Sequence, residues 1–116
     1  MNPAGIMTAM QNKNLLLQEK NDQIVPLAEA KANAQRDYRV ALAKDIAVRR
    51  LKGESVGLCE IMGKGQEEVA DKKVLSVISD AEYKACISSI TISLAALDTL
   101  RSLLTWEREE KYNKNV

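Results

Sequence analysis

The chain has 116 residues, a length that fits one domain. It has no histidine and two cysteines far apart, Cys59 and Cys86, which excludes Ser-His-Asp and Cys-His catalysis and a clustered Cys/His zinc site. A formal net charge of +1 gives none of the basic excess a dedicated nucleic-acid binder carries. Glycine and proline are too scarce, at five and two residues, for a turn-rich all-β fold. With no Phe, one Trp and three Tyr, the core must come from Ala, Leu, Ile and Val. Such small knobs suit helices packed closely against one another.

In chain order, residues 1–25 predict a lead-in with a short helix. Asn12 or Asn14 is its candidate cap, Leu15, Leu16 and Leu17 are its apolar side, and it ends near Gln23. The N-terminus lacks the basic and apolar regions of a signal peptide. Pro26 predicts a break or kink, because its ring removes a backbone donor and disfavours helix at Val25. A second helix is expected from about Leu27 to Lys52, rich in alanine and closed by Gly53. Asp45 stands four residues before Arg49, the favourable order for an ion pair on one helix face. Residues 53–65 predict a turning segment. Ser55 caps a short helical turn, and Leu58, Ile61 and Met62 fold back to close the end of the hairpin.

The third helix is expected from about Gln66 to Lys111, some 65–70 Å at about 1.5 Å per residue. Glu67, Glu68 and Asp71 suit its positive N-terminal end. Val74, Val77, Ile78, Ala81 and Ala85 form one stripe. Tyr83, Ile87, Ile90, Leu94, Leu97 and Leu104 form another, with Arg101 interrupting it. The rival reading is a strand over Ile90–Leu94, where β-branched residues alternate with polar ones. Residues 86–104 form the least charged stretch, interrupted by Asp98 and Arg101. They are expected to be a buried helix segment and no membrane span.

Several features invite a functional reading. Gly63-Lys64-Gly65 lacks the spacing and the following Ser or Thr of a phosphate loop, so a flexible turn is favoured. The carboxylates Glu107, Glu109 and Glu110 are expected on a solvated face. Residues 27–52 carry seven basic and three acidic side chains, and residues 66–111 carry six basic and nine acidic. Attraction between the two helices accounts for that contrast. The alternative is a basic stripe of Arg36, Arg39, Arg49, Arg50 and Lys52 that meets an acidic protein surface or nucleic acid. No aromatics interleave with it to stack on bases. The apolar residues of this helix, Ile87, Ile90, Leu94, Leu97, Leu100 and Leu104 among them, exceed what one partner helix covers, so the surplus needs either the N-terminal helix or a second chain, and these six are the expected oligomer interface. Ser88, Ser89, Ser93, Ala95 and Ala96 would admit another helix closely. Trp106 is either a partial core plug or an interface anchor for a partner. The sequence leaves a Cys59–Cys86 disulfide open. Reduced thiols in a cytosolic protein are the favoured reading.

Four segments carry a resemblance. They are Asp37-Tyr38-Arg39-Val40-Ala41-Leu42-Ala43-Lys44, Gly65-Gln66-Glu67-Glu68-Val69-Ala70, Tyr83-Lys84-Ala85-Cys86, and Leu100-Arg101-Ser102-Leu103-Leu104-Thr105-Trp106. Over about residues 30–110 the chain resembles small helical proteins from phages and prophages of Gram-positive bacteria, often encoded near single-strand annealing genes. The resemblance implies helices and a phage origin, and it transfers no site residue.

The expectation is an all-α protein, an antiparallel helical hairpin with a long third helix and a short N-terminal helix, assembled into a bundle by oligomerisation. Residues 1–25 form the lead-in helix and 26–116 the hairpin domain. The expected function is that of a non-enzymatic binding protein, without cofactor or metal, in the cytoplasm of a bacterial host. It would scaffold or modulate a protein partner in phage recombination or replication. The alternatives are inhibition of a bacterial immune effector and direct nucleic-acid or nucleotide binding by the basic helix.

Overall fold

The computed structural model describes residues 2–114. Its elements are α1 (Pro3–Leu51), α2 (Val56–Gly65) and α3 (Glu67–Lys114). The all-α class and the hairpin with a long third helix hold. Ile90–Leu94 lies within α3, so the strand reading is set aside.

α1 starts earlier than expected. Asn2 caps it: its Oδ1 accepts a hydrogen bond from the Gly5 N–H at 2.7 Å. Pro3 follows at the first helical position, where its missing N–H costs nothing. Asn12 and Asn14 are therefore interior residues. The expected break at Pro26 does not occur either, because α1 runs through it. Pro26 forfeits the bond to the Asp22 carbonyl, but the alanine-rich sequence beyond it and packing on α3 sustain the helix. The lead-in and the second predicted helix are one element.

α1 ends as expected at Gly53, whose φ is +90°, the left-handed region that favours glycine. The Glu54 N–H donates to the Arg49 carbonyl and the Gly53 N–H to the Arg50 carbonyl, a Schellman closure. Ser55 then caps α2, its Oγ accepting from the Leu58 N–H at 3.4 Å. The expected turn at Gly63-Lys64-Gly65 is instead the last turn of α2. Gly63 is buried because α2 lies close on α1: a Cβ there would meet Asp45 Oδ2 at 3.0 Å and Leu42 Cδ1 at 3.2 Å. Gln66 alone links α2 to α3, with its Oε1 accepting from the Val69 N–H at 2.9 Å.

The chain forms two compact units. Unit 1 is Met1–Ile24 with Ala85–Val116, and unit 2 is Val25–Lys84. The second half of α3 groups with the lead-in, because α1 and α3 pack antiparallel.

In unit 1, Ile6, Cys86, Ser93 and Leu97 are buried. Met10, Lys13, Leu17 and Lys20 on α1 and Ile90, Leu100 and Leu104 on α3 are half-buried beside them at coiled-coil spacing. The Cys86 thiol donates across the seam to the Lys20 carbonyl at 3.3 Å. In unit 2, Cys59, Gly63, Val69 and Ser76 are buried. Lys31 bridges to Asp80 at 3.1 Å, and its ammonium lies 4.9 Å from the Tyr83 ring centroid. Lys73 stands at the same distance from the Tyr38 ring. Both cysteines are free and buried, each in its own unit.

The buried seam of α3 thus mixes small or polar residues (Ser76, Cys86, Ser93) with aliphatic ones (Val69, Leu97), which corrects the predicted stripes. Val74, Val77 and Ile78 are exposed, as are Ile87 and Leu94. Leu100 occupies the seam position assigned to Arg101, so the seam is continuous there.

Candidate functional site

Among the described residues, five apolar side chains are buried and twenty large ones are exposed. Scattered apolar residues are normal on a surface, but contiguous ones mark a contact surface. Two such groups stand out, one in each unit.

The first is the corner of unit 2. Leu51 is 89% exposed and Ile61 72%, and Val56, Leu58 and Met62 are exposed too. The predicted closure of the hairpin end by Leu58, Ile61 and Met62 is therefore corrected. Cys59 and Gly63 point inward at i,i+4 spacing, which turns the larger side chains of this ten-residue helix out to solvent. Arg50, Lys52 and Lys64, with one carboxylate, Glu60, are exposed around them.

Arg49, one of the five predicted binding cations, is committed to the corner itself. Its Nε donates to Asp45 Oδ2 at 2.7 Å, and its Nη1 lies 3.7 Å from Glu54 Oε2. The bond to Asp45 holds the guanidinium pKa above its ordinary value. Arg50 Nη1 donates to the Glu54 carbonyl at 3.3 Å, and the Cys59 thiol donates to the same oxygen at 3.7 Å. The corner is thus fixed by local polar contacts while its apolar side chains stay free. Arg36 and Arg39 are exposed further back along α1, with Arg36 3.6 Å from Asp37. Arg36 and Lys44 share a shallow groove with Asp37 of α1 and with Glu68 and Lys72 of α3, so the basic side chains there are interspersed with two carboxylates.

The second group is on α3 in unit 1. Of the six predicted interface residues, Leu97 is 2% exposed and Ile90, Leu100 and Leu104 are half-buried. The chain's own α1 already covers those four. Ile87 and Leu94 remain exposed on one side of α3, and Ile92, Leu103 and Trp106 are exposed on the opposite side. Trp106 is 58% exposed, which settles its two readings against a core plug. Ranking residues by hydrophobicity missed this division. The signal that could have found it is the seven-residue recurrence of Cys86, Ser93 and Leu100 beside Ile90, Leu97 and Leu104.

By length and composition α3 is apolar enough to cross a membrane, with a window of mean hydropathy 1.3 of which 11% is buried. The expectation of a buried segment there is corrected: one side is covered and the rest faces solvent. Set against known protein families, curated proteins and solved structures, the chain matches none.

Proposed function

We propose that the chain is a non-enzymatic helical binding protein that scaffolds or modulates a protein partner in the bacterial cytoplasm. Its resemblance to phage proteins points to a partner in phage DNA recombination or replication. The observation that carries the reading is the open corner of unit 2, where five large apolar side chains lie exposed among Arg50, Lys52 and Lys64. Apolar anchors within a charged rim are the anatomy of a protein–protein contact. The charge of the rim favours a partner groove edged by carboxylates. Arg36 and Arg39 would extend the contact along α1. Arg49 would hold its shape.

The test is affinity capture from phage-infected and uninfected cells, with wild-type protein and the double variant Leu51→Asp, Ile61→Asp. Recovery of a phage recombination or replication protein by the wild type alone supports the reading. Recovery of a host defence effector would replace it with inhibition of immunity. Salt-dependent DNA binding, lost on changing Arg36, Arg39 and Arg50 to Glu, would replace it with nucleic-acid binding.

A further inference from the structure

In unit 1, α3 carries two stripes at alternating three- and four-residue spacing. Cys86, Ile90, Ser93, Leu97, Leu100 and Leu104 face α1. Ser89, Ile92, Ala96, Thr99, Leu103 and Trp106 lie roughly 110° further round the helix, at about 100° per residue. Ile92 is 66% exposed and Leu103 41%, Thr99 and Trp106 are exposed too, and of the six only the small Ser89 and Ala96 are half-buried, so the large side chains of this second seam have no covering element. None of its six positions is charged, in a chain with 28% charged residues. Asp98 and Arg101 pair with each other at 3.3 Å on the far side of the helix.

We infer that this seam is the interface of a two-fold symmetric dimer, in which α3 of a second copy packs antiparallel on α3 of the first. The order of side-chain sizes selects that occupant. In a two-fold contact residue i meets j and j meets i. Pairing the seam with its own reversed copy sets Trp106 against Ser89, Ile92 against Leu103 and Ala96 against Thr99. Each large group meets a small one or an aliphatic partner of similar size, and small residues sit on the axis, where the helices approach most closely. Ser88, Ala95 and Ser102 flank the seam with equally small side chains.

Neighbouring registers are worse. A slip of one heptad sets Trp106 against Glu82 in one direction and Ile92 against Glu110 in the other. A parallel pair sets Trp106 on Trp106 and leaves space between the small residues. A lipid surface fits less well than a second copy. Lys13, Glu19, Lys20 and Asp22 ride on the same unit, and a charged residue at a bilayer centre costs about 2.5–3.5 kcal/mol. The dimer rests on the same view of the chain as a binding module, but it occupies a different face. Its failure would leave binding at the corner of unit 2 to be judged separately.

The test is the mass of the purified full chain in solution, with vesicle co-sedimentation alongside. At roughly 100 µM, where a dimer of micromolar Kd is almost fully formed, the wild type is expected at twice its 12.9 kDa. Ile92→Asp and Trp106→Ala, both at exposed positions, are expected to return it to the monomer mass with helical circular dichroism unchanged. Register is read by oxidation. Ala96→Cys chains mixed with Thr99→Cys chains should crosslink, and Ile92→Cys chains alone should not. A wild-type monomer at that concentration, an unaltered dimer in both variants, or an Ile92→Cys homodimer would overturn the inference. So would binding to phosphatidylglycerol vesicles that Ile92→Asp abolishes, since the seam would then face lipid.

Discussion

The two units join the same pair of helices by different means. Unit 2 relies on charge: Lys31 with Asp80 and Tyr83, Lys73 with Tyr38, and Arg49 with Asp45 and Glu54. Unit 1 relies on side chains packed in the seam, with Ile6, Cys86, Ser93 and Leu97 buried. Exposed ion pairs contribute little individually, and they position more than they stabilise. Burial of apolar area does the larger share of the holding. The difference suggests a division of labour. The polar contacts of unit 2 fix a corner whose apolar residues stay outside. In unit 1 the inner seam is packed from Ile90, Leu97, Leu100 and Leu104 with Cys86 and Ser93 between them, and it leaves Ile92, Leu103 and Trp106 for a second interface.

The sharpest way to break the comparison is to cut the same residue type on the two faces of α3 in unit 1. Leu97→Ala removes a side chain that is 2% exposed and should lower stability by about 2–5 kcal/mol. Leu94→Ala, three residues earlier on an open face, should change it by no more than about 0.5 kcal/mol. Urea denaturation of the two variants measures both. Equal losses would mean that the inner seam is misassigned.

Pro26 lies two residues inside unit 2, next to its boundary. An interior proline costs a helix about 3 kcal/mol against alanine, and about 1 kcal/mol of that is returned through a less flexible unfolded chain. Pro26→Ala should therefore stabilise the protein by about 2 kcal/mol, read as a higher urea midpoint. A destabilised variant would show that the helix is shaped around the proline ring.

The success of the sequence reading was uneven for a physical reason. Signals that act through backbone chemistry were legible: Ser55 caps α2, Gly53 closes α1, and the helical period survives the β-branched run at Ile90–Leu94. The start of α1 was not: the cap expected at Asn12 or Asn14 is Asn2, followed by Pro3 in the first turn. Burial was not. The predicted stripes put Val74, Ile78, Ile87 and Leu94 in the seam, and the structure leaves them exposed while it buries Ser76 and Ser93. Close helix approach rewards small volume over hydrophobicity. Pro26 was misread because a local penalty of this size is outweighed by the hydrogen bonds and packing of a 49-residue helix. At the candidate sites, Arg36, Arg39, Arg50, Lys52 and Trp106 are exposed. The engagement of Arg49 within the corner could not be picked from sequence.

Two glycines sharpen the picture of the corner. Gly53→Ala forces a Cβ into φ +90° and should cost about 1 kcal/mol. Gly63→Ala adds a methyl 3.0 Å from Asp45 Oδ2, so either the Asp45–Arg49 pair shifts or α2 moves outward. Overpacking costs of order 1–3 kcal/mol, and the flexible carboxylate places this site near the lower end. Gly57, which has open space around it, is the control: Gly57→Ala should be neutral or slightly stabilising, since alanine favours helix. A Gly57→Ala variant as unstable as Gly63→Ala would remove close approach as the explanation.

The smallest effect tests the ionic half of the comparison. Asp80 accepts hydrogen bonds from Lys84 and Lys31, and these hold its carboxyl pKa below the ordinary 3.8. A carboxylate whose pKa is lowered on folding favours the native state above its unfolded pKa. That contribution is lost as pH falls through the lower folded value. The acid limb of a melting-temperature profile, from about pH 5 to about pH 2, should therefore be steeper for the wild type than for Asp80→Asn. The two curves should converge at the acid end, where wild-type Asp80 is itself neutral. The difference between the two curves reports the Asp80 carboxylate. Leu97→Ala should shift the whole profile down without changing its acid slope, because a seam built by packing titrates nothing. Parallel acid limbs for wild type and Asp80→Asn would mean that the Lys31–Asp80 bridge does not hold unit 2, and the contrast between the units would then reduce to burial.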